Sequence, residues 1–207
     1  MTAQPSTLGL VSTPWHRRPD TLGFTVGDLH ELPDDGLRYE LIDGSIIVSP
    51  SATIGHNTIA RWIANILEDA CPTMDWVVGT DQSATVDDRN EPRPDLVVAR
   101  TVHITRSPFP ISDASLVGEV VSPNSALRDT ETKRGLYARA GVPAYWIVVP
   151  DEEKGEISLA ELRLDGKQYR YATHYTSEVF RTDHPWPIAI DLPELSRRWA
   201  RMLELSG

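Results

Sequence analysis

The chain has 207 residues, 40% of them hydrophobic, and a formal net charge of −10 at pH 7. That length suits one domain with a substantial core, while the acidic balance argues against broad nonspecific DNA binding, which needs a basic surface. One cysteine, Cys71, excludes an internal disulfide and a cysteine-based zinc site; with no apolar run near the ~18 residues of a membrane span and no secretory pattern at the start, the sequence predicts a cytoplasmic protein that meets no membrane.

Residues 1–20 carry Pro, Ser and Thr without periodicity and predict a mobile N-terminal arm. Residues 21–207 then predict a single domain. Thr25 is placed to cap a short helix in VGDLHELP, which Pro33 ends. The segment RYELIDGSIIVSP predicts a hairpin turning at Asp43-Gly44. In HNTIARWIANILEDAC, the residues Ile59, Trp62, Ile63, Ile66 and Leu67 recur at helical spacing, so an amphipathic helix runs to Pro72. DWVVGTDQSATV reads as a strand and DDRNEP as a polar turn. Three Val/Ile-rich runs follow, Leu96–Ala99, Ser115–Val121 and Tyr145–Val149, each too short for a helix. A helical pattern over about Asp129–Ala140 separates the last two. Ser122-Pro123-Asn124-Ser125 reads as a turn, with no triad signature around it. Asp165-Gly166 marks a second hairpin. Leu192, Leu195, Trp199, Met202 and Leu203 predict a closing helix. The order predicts an α+β (mixed α/β) domain around one sheet, with hairpins at both ends.

The chemistry starts from carboxylates in apolar strands. Asp95 opens one run, Glu119 is the one charge in SLVGEVV, and Glu40 sits inside RYELI. A buried carboxylate is costly unless it is paired or binds a metal. Singly, Asp95 and Glu119 read as well as peripheral strand-end groups, solvated or paired with an arginine such as Arg93. Three on three strands fit a hard-cation site, Mg2+ or Mn2+, completed by waters. Lys133 adds a cation. At 100° per residue, Asp129, Lys133, Leu136, Tyr137 and Ala140 share an arc of about 100°, outside which Arg134 and Arg139 fall. Lys133 either pairs with Asp129 at i,i+4 or heads the stripe toward the carboxylates. His56, at the start of the long helix, is a supporting group, as are Asp129 and Tyr137.

The segments RYELIDGSIIVSPSATIGH, RPDLVV and LVGEVVSPNSALRDTETKRGLYARAGVPAYWIVVP resemble the Uma-two family of restriction-endonuclease-like proteins, over roughly residues 24–195. The resemblance implies membership of the PD-(D/E)-x-K nuclease superfamily. It implies a restriction-endonuclease-like mixed sheet flanked by helices, and a divalent-metal phosphodiesterase site. Asp95 then stands for the first acid, Glu119 for the second and Glu40 for the upstream one. One departure shows: Val121 holds the place of the usual strand lysine, and Lys133 is the replacement the family pattern suggests. The reading is a Mg2+- or Mn2+-dependent endonuclease acting on nucleic acid, DNA first. Glu40, Asp95, Glu119 and Lys133 are its catalytic set, and the first three hold metal. The alternative is an inactive nuclease-fold module that binds a partner. Trp15, Trp186 and Trp199, in terminal segments, are expected to be poorly buried and to mark a homodimer interface.

Overall fold

The structure is a computed structural model and describes residues 23–49, 52–121 and 128–206, the side chains of residues 49 and 128–130 excepted. The arm expected over residues 1–20, Trp15, the Ser122–Ser125 turn and the side chain of Asp129 lie outside the described residues.

The first helix of the described residues is α1 (Val26–His30), capped as its sequence requires. The Asp28 amide donates to the Thr25 hydroxyl, and the Asp28 carboxylate accepts from the Thr25 amide. Strands β1 (Arg38–Ile42) and β2 (Ser45–Ser49) form a separate two-stranded antiparallel sheet. Its turn residues Asp43 and Gly44 both have positive φ, 47° and 72°, as a type I′ turn demands. Helix α2 (Ile54–Asp69) follows, then β3 (Trp76–Thr80), the short β4 (Ala84–Thr85), β5 (Leu96–Arg100), the short β6 (Phe109–Pro110) and β7 (Ala114–Val120). A π-helical turn over Arg128–Lys133 leads into α3 (Arg134–Arg139). The chain ends with β8 (Ala144–Asp151), β9 (Glu156–Asp165), β10 (Gln168–Thr176), β11 (Val179–Thr182), β12 (Ile188–Asp191) and α4 (Leu192–Glu204).

Six strands make the main sheet in the order β10-β9-β8-β7-β5-β3. Every neighbouring pair is antiparallel except β7–β8, which is parallel and needs the crossover through α3. The result is a mixed sheet flanked by helices, as expected. Both faces are covered, which is why its central strands read as continuous apolar runs. Leu96, Leu116, Val120, Trp146 and Leu159 face α2, α4 and the β11–β12 hairpin. Val97, Val117, Tyr145, Ile147 and Leu162 face α3. The expected C-terminal hairpin extends the sheet at one edge, although Asp165 pairs with Gln168, so the two turn residues are Gly166 and Lys167. Two details differ from expectation. Met202 is exposed at the end of α4. Trp186 and Trp199 are buried, at 4% and 6% exposure, because the β11–β12 hairpin and α4 close over the sheet together; they offer no interface.

The α2–α4 side also buries Glu161, opposite Trp146 in the β8–β9 register. Its Oε1 accepts from Arg163 Nε at 2.7 Å, Thr182 Oγ1 at 3.0 Å and Trp146 Nε1 at 3.3 Å. Every donor comes from the sheet or from β11, so this carboxylate pins the hairpin to the core. Breaking a buried pair from one side leaves an uncompensated charge. Arg163→Met should cost about 3 kcal/mol, the low end of that class because the guanidinium is partly exposed. Adding Glu161→Gln should recover much of it, as read by urea unfolding.

Candidate active site

Glu119 lies near the end of β7, on the face that α3 covers, and is 2% exposed. Val121, two residues on, packs into the apolar cluster of that face. A lysine side chain there would displace this packing, and the cation comes from elsewhere. Lys133, the last residue of the π-helical turn, is 3% exposed. Its Nζ lies 3.1 Å from Glu119 Oε1 and 2.8 Å from Glu40 Oε1. Tyr137, one turn along, donates its hydroxyl to the same Glu119 oxygen at 2.7 Å. The stripe expected from sequence thus brings Lys133 and Tyr137 to one carboxylate. Arg134 and Arg139 fall outside it: Arg134 reaches the Tyr169 carbonyl and Arg139 reaches Asp43.

Glu40 arrives from the separate β1–β2 sheet. That sheet is held by a bridge between Leu41 and Glu91 and by the Arg93 amide, which donates to Glu40 Oε1 at 2.8 Å. Asp95 sits at the bend before β5. The β5–β7 register pairs Leu96 with Gly118, so Asp95 faces Glu119 one step beyond. Its Oδ2 accepts from the Val120 amide at 2.9 Å. His56, in the first turn of α2, places Nε2 3.1 Å from that oxygen and 2.9 Å from the Val120 carbonyl. Both partners are acceptors, so Nε2 carries the proton.

The environment sets the charges. Burial pushes the Asp95 carboxyl up, but the hydrogen bond and charge of His56, the charge of Lys133 and the Val120 amide outweigh it and hold it below its ordinary value. Burial pulls the His56 imidazole down, but Asp95 outweighs that and leaves it raised. Burial and the neighbouring Glu119 keep the Tyr137 phenol protonated, hence a donor.

Asp95 opens onto a recess of about 210 Å³, lined by Arg38, Asn57, Ala60, Thr80 and Asp81. None of these five was singled out from the sequence; two of them, Arg38 and Asp81, are charged. Asp81 accepts from both Arg38, at 2.8 Å, and Arg93, at 3.1 Å. Arg93 therefore serves Asp81 rather than Asp95. The sequence signal was faint, a polar residue just after the WVVGT strand; the structure gives it a φ of 56°.

Among the described residues no group of three or more His, Cys, Asp or Glu side chains forms a ready metal cage. Magnesium needs none: it binds through one or two carboxylates and keeps its waters. Glu40, Asp95 and Glu119 stand against one ammonium, Lys133, and one imidazole, His56. Hard oxygen donors in formal excess, one of them, Asp95, lining an open recess, fit a divalent cation.

This mixed sheet flanked by helices is a nuclease-like fold. The solved-structure comparison agrees on the fold: the crystal structure of a "putative nuclease" from Anabaena variabilis matches with a TM-score of 0.65 and 17% identity, over 86% of this chain and 99% of that one. The chain belongs to the Uma2 (Uma-two) family, described as "Putative restriction endonuclease", whose family model matches residues 26–197. No curated protein matches the chain.

Two expectations follow. Lys133→Ala strands two buried carboxylates and should cost about 3–5 kcal/mol in denaturant unfolding; Lys133→Met with Glu119→Gln should recover part of it. The Asp95–His56 pair sets the second. A depressed carboxyl contributes stability present above its unfolded value and lost as pH falls through the folded one. A raised imidazole contributes stability present below its unfolded value, about 6.5, and lost as pH rises through the folded one. The stability gap between the wild type and His56→Asn should therefore be larger near about pH 5.5 than near about pH 9.

Proposed function

We propose that this chain is an endonuclease that hydrolyses phosphodiester bonds with Mg2+ or Mn2+, DNA being the substrate class and the cytoplasm its place of action. The observation that supports this most is the Lys133 ammonium, buried against Glu40 and Glu119 and within electrostatic reach of Asp95, which lines a recess. Asp95 and Glu119 would hold the cation, with Glu40 holding a second one or a bridging water. Such a cation supplies polarisation of the phosphate and an activated water.

The chain's own residues do the rest. His56 and the Val120 amide fix the Asp95 carboxylate by holding one of its oxygens. Tyr137 fixes Glu119 in the same way. Lys133 orients the attacking water or stabilises the negative charge that grows on the phosphoryl oxygens. Arg38 brings a guanidinium to the recess, where a backbone phosphate can lie. A homodimer remains part of this reading, although it gains nothing from Trp186 and Trp199.

The second reading, a nuclease fold that binds a partner without cleaving, draws on one feature. The Lys133–Glu40–Glu119 cluster is already an ion-pair network in its own right. A cleavage screen separates the two. Plasmid, single-stranded and structured substrates are incubated with magnesium or manganese. The wild type should cut at least one of them, Asp95→Ala none. Folded Lys133→Ala should be slower by about 10²–10³, and Arg139→Ala, at the far end of α3, should match the wild type. Calorimetry with manganese should show binding that is lost in Asp95→Asn with Glu119→Gln. No cleavage and no metal binding by the wild type would leave only the partner-binding reading.

A further inference from the structure

β10 is an edge strand of the main sheet. An edge strand of regular pleat sends residues i and i+3 to opposite faces. β10 does not keep that pleat. Tyr171 pairs with Leu162, Thr173 with Glu161 and Thr176 with Leu159, so β10 carries extra residues at two register shifts. These bulges bring three rings together on the side that α3 covers. Tyr171 stacks on His174 with centroids 4.6 Å apart and 18° between planes. Tyr175 lies 6.3 Å from Tyr171. Arg134, the residue after Lys133, places its guanidinium 5.6 Å from the Tyr171 ring centre, steadied by the Tyr169 carbonyl. It also lies within electrostatic reach of the Tyr175 phenol.

Bulges at an edge have a plain use: they stop another strand from pairing there. That use does not call for aromatic rings. Natural edges are guarded by charge and proline, whereas Tyr171 and Tyr175 stand 37% and 45% exposed with His174 beside them. The same bulges weigh against a second copy of the chain adding its strand here. Exposed rings with a guanidinium over one of them, Tyr171, suit flat, anionic partners. In a chain of net charge −10, a local Arg–aromatic surface one residue from Lys133 is the more selective.

We propose that Tyr171, His174, Tyr175 and Arg134 form a stacking platform for unpaired nucleotides, which would make the substrate of this site a single strand, or a duplex with a single-stranded flank. Bases stack on the rings without regard to sequence, and Arg134 meets the adjoining phosphate. The inference rests on the nuclease reading for its biological sense, but binding tests it separately from cleavage.

The probe is a dye-labelled single strand of about ten nucleotides, within the usual site size, followed by fluorescence anisotropy in EDTA and again with calcium. A blunt duplex of the same sequence is the comparison. The wild type should prefer the single strand. Tyr171→Ala with Tyr175→Ala should weaken that binding about tenfold or more, and Tyr171→Phe with Tyr175→Phe, which keeps the rings, should restore it. Arg134→Met should weaken it and flatten its salt dependence. Equal binding by the Ala pair and the wild type overturns the platform. So does wild-type preference for the duplex, or no binding of the single strand at all. Light scattering completes the test: a dimer that the Ala pair splits, with strand binding unchanged, would make the surface an interface between copies instead. A wild type that binds the single strand through these rings yet cleaves nothing sinks the nuclease reading and leaves the platform standing.

Discussion

Moving an ammonium out of water is expensive, and this fold does so at Lys133. Coulomb attraction to two carboxylates offsets that cost only when the remaining polar atoms of the group are also satisfied. The structure meets the condition from several directions. Tyr137 donates to Glu119, the Arg93 amide donates to Glu40, and β7 supplies the strand that holds Glu119 in register with β5 and β8. The parallel β7–β8 pair matters because it obliges the chain to cross over the sheet. The crossover helix is what carries Lys133 and Tyr137 back over Glu119.

Two buried glutamates show how surroundings separate structure from chemistry. Glu161 and Glu119 are equally buried, and each accepts hydrogen bonds from a cation and a hydroxyl. Glu161 looks into the Trp146–Phe180 packing and binds one hairpin to the sheet. Glu119 stands opposite a second acid, Asp95, which borders an open recess. Burial alone does not mark a site. What differs is that Glu119 has a second acid beside it, while Glu161 has packing and a hairpin.

The sequence was most informative where a period or a turn decides the structure. The Asp43-Gly44 turn, the α2 stripe and the three Val-rich strands are local and follow from side-chain chemistry. Lys133 was legible because helical spacing puts it in line with Leu136 and Tyr137. Glu161 was not, because an acid within alternating strand residues looks like a solvent-facing one until Trp146 is placed opposite. Nor was Asp81, whose two arginine partners come from distant segments. The Tyr171–His174 stack was hidden for a different reason. It depends on bulges, and a bulge breaks the alternation by which strands are read.

Glu40 belongs to a sheet of its own, joined to the rest through Leu41, Glu91 and the Arg93 amide. The charge cluster is therefore a seam between two pieces of hydrogen-bonded architecture. Seams open by partial unfolding, at less free energy than the core requires. Each opening would let water reach Lys133 and Glu119 while the six-stranded sheet stays intact. The protection of the β1–β2 amides against hydrogen exchange is thus a measure of how often the charge cluster comes apart, independent of how stable the protein is as a whole.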